Sequence, residues 1–348
     1  MKKLCLILAL LLALTAVLAA CGSKTATAET TTAAAETTAA AAATTAAAGD
    51  TTAAAAKKDQ YVIGMSQCNL GEPWRVAMND QIAAAAAKHP EFKVIYSDAA
   101  QDNSKQIADI ENFIQMGVDL LIASPNEATP LTNVIKKAYE AGIPVILLDR
   151  KIDGDTYTQF IGADNVYMGR EAGKYVAHTL FPDGANLLEV KGLEGTSGGI
   201  DRDKGIAEGI ADNAKIKILQ KCNADWLREK AITETESMLQ ANSDVQCIIA
   251  LNDPMAEGAY TAAKNLGREK DIKFIGFDGL PTPDGGIKSV MDGRLSLTLV
   301  YPTGGAEAIQ SAYDLLEGGK TLEKTITLGT EIITPDTAAE AYTRYGGK

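Results

Sequence analysis

The residues that could do chemistry in this chain sit where apolar runs stop. Asn69-Leu-Gly-Glu-Pro-Trp-Arg75 follows Tyr61-Val-Ile-Gly-Met65 and sets Glu72, Trp74 and Arg75 almost side by side. Asp149-Arg150 closes the apolar run Val145-Ile-Leu-Leu148. Further along, Asp225-Trp226 follows Ile218–Cys222, Asn252-Asp253 follows Ile248–Leu251, and Asp278 follows Ile275-Gly-Phe277. Arg202 lies just past the glycine-rich turn Gly192–Gly199. Carboxylates accept hydrogen bonds, guanidinium groups donate in a fixed fork, and an amide does both, so such a set can satisfy hydroxyls that donate and accept at once. Indole rings offer flat apolar faces, which suit the C–H faces of a sugar ring. The inventory points to binding of a neutral, polyhydroxylated small molecule.

Each residue also has a purely structural reading. A Trp at a helix start can be packing, an Asp-Arg dipeptide can be an internal ion pair, and Asn252 can simply cap the helix that begins near Pro254. Convergence of so many at equivalent strand ends favours the binding reading. Enzyme chemistry fits less well. The two histidines, His89 and His178, lie away from strand ends, so a His-based triad or a multi-histidine metal site has no members. Gly192–Gly199 matches neither GxGxxG nor GxxxxGK[ST], which leaves a dinucleotide-dependent enzyme only as an alternative, and its glycines are expected to let backbone approach a ligand. Asp149 and Asp278 resemble a glycosidase pair in type, yet the nearby arginines are expected to keep both ionised, whereas that reaction needs one raised pKa.

Residues at strand ends need a scaffold, and the hydrophobic pattern supplies one. Apolar runs at Tyr61–Met65, Phe92–Tyr96, Leu120–Ala123 and Pro144–Leu148 alternate with segments of helical period, such as Ile107, Ile110 and Ile114, or Leu131, Val134, Ile135 and Ala138. The pattern then restarts with runs at Leu187–Val190, Ile216–Leu219, Val245–Ala250 and Phe274–Phe277, separated by helical stretches around Val176, Ile206, Met238 and Ala259. Apolar strands separated by helices imply parallel sheets covered on both faces. The expected fold class is therefore α/β: two doubly wound, Rossmann-like lobes with a cleft between them. In such sheets ligands bind beyond the carboxyl ends of the strands.

The first 56 residues are not core material. Lys2 and Lys3 precede the apolar run Leu4–Ala20, the layout of a secretory signal ending in small residues. Leu18-Ala-Ala-Cys21 resembles a bacterial lipobox, in which Cys21 becomes the lipid-bearing first residue after cleavage. Gly22–Ala56 is nearly all Ala and Thr with a few Glu, and reads as a solvated tether. The formal charge of the 348-residue chain is −12, and removing Lys2 and Lys3 with the signal makes it −14. That charge excludes nucleic acid as a partner, because phosphate binding needs concentrated Lys and Arg. Cys68, Cys222 and Cys247 are odd in number and lack CxxC spacing, so they read as packed thiols rather than a disulfide framework or metal site.

From about Asp59 to Thr337 the sequence resembles the sugar-binding subunits of bacterial ABC importers, of the ribose- and galactofuranose-binding kind. The resemblance is carried by Val145-Ile-Leu-Leu-Asp-Arg150, Ile161-Gly-Ala-Asp-Asn165, Gly195-Thr-Ser-Gly-Gly-Ile-Asp-Arg202, Leu251-Asn-Asp-Pro-Met255 and Ile275-Gly-Phe-Asp-Gly279. It implies that Trp74 and Trp226 stack on a monosaccharide, that Asp149, Arg150, Arg202, Asn252 and Asp278 hydrogen-bond its hydroxyls, and that Phe277 supports the pocket. The ribose pattern has an asparagine and two adjacent phenylalanines in the first loop; Glu72, Trp74 and Arg75 look more like the galactofuranose branch. Tyr301 stands where the ribose pattern has a glutamine.

Three crossovers are also implied, near Ala163–Asp164, Tyr301–Pro302 and Gly329–Thr330. They would divide an N-terminal lobe (57–163 and 302–329) from a C-terminal lobe (164–301 and 330–348). The implied protein is a monomer without cofactor or metal. It closes on its sugar, delivers it to an ABC permease, and touches the membrane only through the lipid on Cys21; a chemoreceptor is the alternative partner. Cys21→Ser is expected to release the protein from the membrane fraction or to leave the signal attached. Fractionation with intact-mass measurement decides, and a processed variant retained on the membrane would remove the lipid reading.

Overall fold

The computed structural model describes residues 57–348, and the expected signal, Cys21 and the tether lie outside them. In chain order the strands are β1 (Tyr61–Gln67), β2 (Phe92–Asp98), β3 (Leu120–Ala123), β4 (Val145–Leu148), β5 (Gln159–Ala163), β6 (Ala185–Lys191), β7 (Ile216–Asn223), β8 (Cys247–Ala250), β9 (Lys273–Ile275), β10 (Thr298–Val300), β11 (Thr325–Leu328) and β12 (Glu331–Ile333). The α-helices are α1 (Pro73–Ala86), α2 (Asn103–Met116), α3 (Ala128–Glu140), α4 (Asn165–Lys174), α5 (Ser197–Ile210), α6 (Arg228–Ala241), α7 (Asp253–Asn265), α8 (Gly286–Met291), α9 (Gly305–Leu316) and α10 (Ala338–Arg344). None of the described helices is long and apolar enough to cross a membrane.

One parallel sheet runs β2-β1-β3-β4-β5-β11 and a second runs β7-β6-β8-β9. Strands β3 and β4 are buried along their whole length, as central strands covered on both faces must be. β10 joins the second sheet through bridges at Ile275/Leu297 and Asp278/Val300, and pairs antiparallel with β12. The chain therefore passes between the sheets after β5, after β10 and after β11.

Local chemistry sets the helices that matter for the cleft. Pro73 opens α1, where a missing N–H costs nothing, and the helix buries Trp74, Met78, Ile82 and Ala86 at four-residue spacing. Asp102 caps α2 by accepting from Ser104 N and Lys105 N, and Gly117 ends it at φ 65. Asp164 caps α4 through Tyr167 N, and the helix runs on into a π-type turn over Tyr175–Leu180. The residues of helical period in α2 and α3 form one face of the first lobe's core: Ile110, Leu131, Val134, Ile135 and Ala138 meet Leu121, Val145 and Leu147.

The strand boundaries differ from expectation where pairing, not hydrophobicity, sets the end. β1 and β2 continue in register to Gln67 and Asp98, because polar residues there still find ladder partners. β9 stops at Ile275, before Phe277, because Gly276 and Asp278 donate instead to Leu297 and Leu299. β10 and β12, of three residues each, are too short to show a period, and β5 (QFIGA) and β11 (TITL) are interrupted by polar or glycine residues. Cys68, Cys222 and Cys247 are all free, and burial pushes the Cys222 thiol up to about 12.

Helices α4 and α5 pack closer than side chains allow. A methyl at Gly205 would stand 2.2 Å from the Val166 carbonyl oxygen, and one at Gly169 would stand 2.2 Å from that of Arg202. Gly205→Ala is therefore expected to lower unfolding free energy by about 1–3 kcal/mol in a urea titration. Gly329→Ala, with nothing within 4 Å, should change it little.

Candidate ligand-binding cleft

A narrow cleft lies between the two sheets, lined by Glu72, Trp74, Arg75, Asp149, Arg150, Gly198, Arg202, Trp226, Asn252, Asp278 and Tyr301. All of the residues expected at the site except Phe277 are among them. Phe277 is fully buried, its ring 5.2 Å from the Arg202 guanidinium carbon, which makes it support rather than wall.

The first wall is a ladder of charges. Arg75, at the start of α1, donates through Nη1 to Ser124 Oγ at 2.9 Å and pairs through Nη2 with Asp149 Oδ2 at 2.6 Å. Asn69 donates to Glu72 at 2.7 Å, which leaves the Glu72 carboxylate 3.9 Å from Arg75 Nε. Asp149 ends β4 at φ 70, a conformation that turns a non-glycine residue sharply out of the strand. Burial works against the charge on its carboxyl, but Arg75 and Arg150 outweigh it and hold the group below its usual range. Arg150 donates through Nη1 to the Asn126 carbonyl at 2.8 Å, and its Cζ lies 5.6 Å from the centre of the Trp226 ring.

The second wall is built on Trp226. Asp225 and Trp226 adopt φ 53 and φ 69, and the indole sits so close to the glycine-rich turn that a methyl at Gly192 would lie 2.1 Å from Trp226 Cε2. Gly192 and Gly199 thus seat the indole, while Gly198 is the one that reaches the cleft. Asn252 has the capping role and also lines the cleft. It caps α7 by accepting from Met255 N at 2.9 Å, and it donates to the Trp226 carbonyl at 3.1 Å from within the cleft wall. Arg202 lies 4.9 Å from the Tyr301 ring centre and 5.8 Å from that of Trp226, with Nε donating to Asn165 Oδ1 at 2.8 Å and Nη1 to the Leu251 carbonyl.

Three features of the cleft depart from expectation. The Trp74 ring stacks on Tyr301 (centroids 5.1 Å apart, 17° between planes) and its Nε1 donates to the Tyr301 carbonyl at 2.8 Å, so one indole face is already covered. Asp278 shifts the opposite way from expectation: burial first, then the neighbouring Asp253 carboxyl, raise it well above the usual carboxylate range against the pull of Arg202. Asn165, part of the Ile161–Asn165 motif but given no role by it, reaches both Arg202 and, at 3.5 Å, the Tyr301 hydroxyl. Two buried donors, Arg75 Nε and Trp226 Nε1, have no hydrogen-bond acceptor among the described residues. The walls touch at the cleft's edge: Gln101 Nε2 donates to the Asp225 carbonyl at 3.0 Å, Lys151 N to Ser197 Oγ at 2.9 Å, and Ala128 N to the Gly195 carbonyl at 3.2 Å.

Two parallel α/β sheets joined by three crossovers around a polar cleft are matched in sequence as well, for residues 63–321 fit a periplasmic binding protein domain. The chain belongs to the periplasmic binding protein family. The ribose import binding protein of Bacillus subtilis (strain 168) is 35% identical over 272 residues, covering 78% of this chain and 86% of that one. Among solved structures, the fructose-binding periplasmic domain of a hybrid two-component system aligns with TM-score 0.79 at 40% identity, over 82% of this chain and 94% of that one. A galactofuranose-binding protein aligns with TM-score 0.78 at 31% identity, over 82% of this chain and 98% of that one. This periplasmic binding protein is thus an extracytoplasmic solute binder and not an enzyme.

The two cleft aspartates make opposite contributions to stability in the ligand-free protein. Asp149, with a lowered folded pKa, contributes stability above its unfolded value of about 3.9 that is lost as pH falls through the folded pKa. Asp278, with a raised one, favours folding below about 3.9, and that contribution is lost as pH rises through the folded pKa. Asp149→Asn is expected to cost roughly 3–5 kcal/mol at pH 7, since it strips the anion from two buried arginines. Asp278→Asn should raise the unfolding midpoint at pH 7–8 and leave it nearly unchanged near pH 4. Urea titrations across that range read both, and equal destabilisation at neutral pH would contradict the assignment.

Proposed function

We propose that the protein captures a monosaccharide in the furanose ring form, by closure of two lobes, and delivers it to the permease of an ABC importer. The observation that carries the reading is the pair of orphaned donors, Arg75 Nε and Trp226 Nε1, one in each wall of a cleft whose other buried groups are largely paired. Buried donors are normally satisfied, and sugar hydroxyls can accept from both while donating to carboxylates. The rings of Trp74 and Trp226, both lining the cleft, offer apolar surface to the sugar. Asp149, Arg150, Arg202, Asn252 and Asp278 hydrogen-bond its hydroxyls, and Glu72, Arg75 and Tyr301 select among sugars. The furanose ring is favoured by the first loop, Glu72-Pro-Trp-Arg75, and by the similarity to a galactofuranose-binding protein.

The lobes, 57–163 with 302–329 and 164–301 with 330–348, pivot at the three crossovers. A ligand that contacts both walls binds the closed arrangement better than the open one, and only that difference can shift the equilibrium. Affinity near 1 μM needs about 8 kcal/mol, within reach of several charge-assisted hydrogen bonds of roughly 1.5–3 kcal/mol each after ordering costs. The protein acts as a monomer held to the membrane by the lipid on Cys21. A sensing role is the second reading, favoured by the fructose-binding neighbour, which is a domain of a two-component system.

In a thermal-shift panel of the mature protein, at least one of D-ribose, D-fructose and D-galactose at millimolar concentration should raise the midpoint by several degrees. Methyl furanosides of the active sugar should outperform its pyranosides. Absence of any shift across the panel counts against sugar binding, and a preference for pyranosides overturns the ring form.

A further inference from the structure

Asn165 lies just outside the cleft and is buried, 5% exposed, at the point where the chain first leaves the N-terminal lobe. Its side chain is used at both ends. Oδ1 accepts from Arg202 Nε at 2.8 Å on α5, and Nδ2 donates to the Tyr301 hydroxyl at 3.5 Å, beside the second crossover. Its amide nitrogen also lies 3.6 Å from the Cβ position of Gly198, the glycine that lines the cleft. One amide therefore joins two of the three crossovers to an arginine in the cleft wall.

The helix that carries Asn165 has no freedom relative to the helix that carries Arg202. Gly169 and Gly205 bring α4 and α5 to backbone contact, with the Arg202 carbonyl oxygen 2.2 Å from the Cβ position of Gly169. Arg202 is committed through Nε to Asn165 and through one Nη1 hydrogen to the Leu251 carbonyl, which leaves the second Nη1 hydrogen and both Nη2 hydrogens to meet a ligand. A long, planar side chain that offers a ligand only its terminal edge must be aimed, and the partner of its Nε sets the plane.

We propose that Asn165 is a positioning residue for ligand binding: it aims Arg202 into the cleft and ties that arginine, through Tyr301, to the crossovers about which the lobes move. It touches no ligand itself. The inference rests on the sugar-binding reading of the same cleft. Its consequence is read mostly in dissociation, because changes at one binding surface alter release far more than capture.

The test uses the mature protein and whichever of D-ribose, D-fructose and D-galactose gives the largest thermal shift. The chain's two tryptophans, Trp74 and Trp226, both line the cleft, so intrinsic fluorescence in stopped flow reports binding without a label. Asn165→Ala is expected to weaken affinity about 10- to 100-fold, the equivalent of one hydrogen bond to a charged group, mostly through faster dissociation. Asn165→Asp, which keeps an acceptor for Arg202 Nε and loses only the donor to Tyr301, should recover most of that loss. Affinity unchanged in Asn165→Ala overturns the inference and leaves sugar binding intact. So does an equal loss in both variants matched by an equal fall in ligand-free unfolding midpoint, for that marks a merely structural role. A wild-type protein that binds none of the three sugars overturns the sugar reading, and this inference with it.

Discussion

Three guanidinium groups share one buried cleft, and most of the structure around it can be understood as what keeps them there. A buried cation is tolerated only when paired and hydrogen-bonded. Asp149 supplies the anion for Arg75 at 2.6 Å, and backbone carbonyls of Asn126 and Leu251 take up Arg150 and Arg202. Aromatic rings complete the surroundings: Arg150 over Trp226, and Arg202 among Trp226, Phe277 and Tyr301. The compensation is complete enough to be stable and leaves a few polar atoms, Arg75 Nε and Trp226 Nε1 among them, without partners.

The backbone meets the same demand at some strain. Asp149, Asp225, Trp226 and Asp278 all take positive φ at the cleft, where non-glycine residues are uncommon. Each sits at the end of a strand or of the loop that follows one, turning a side chain across the sheet's edge instead of along it. Glycines do the reverse service nearby, with Gly192 and Gly199 making room for the Trp226 indole and Gly169 and Gly205 letting two helices touch. Strain and close approach together fix the rings and the arginines in one arrangement, the preorganisation that binding a small polar ligand requires.

The relation between the lobes follows from where the chain crosses. Asn165 and Tyr301 stand beside the first two crossovers and meet over the cleft, while Trp74 of the N-terminal lobe stacks on that same tyrosine. At the opposite edge, hydrogen bonds from Gln101, Lys151 and Ala128 join the two lips. The cleft lies between these two lines of contact.

Much of this architecture is legible in the order of the residues. The α/β alternation, the central strands β3 and β4 and the positions of Asp149-Arg150, Asn252 and Asp278 follow from period and strand ends, which are local properties of the chain. Short strands such as β10 and β12 are not legible there, because three residues carry no period and are held only by partners elsewhere. The sequence by itself determined which side chains gather at the strand ends, because alternation and chain breaks are encoded residue by residue. Only the tertiary structure decided what each does: that the Asp149 carboxyl is shifted down and that of Asp278 up, that Trp74 gives one face to Tyr301, and that Asn165 holds Arg202. Those outcomes depend on desolvation and on distances between residues far apart in the chain, and neither exists until the lobes have packed.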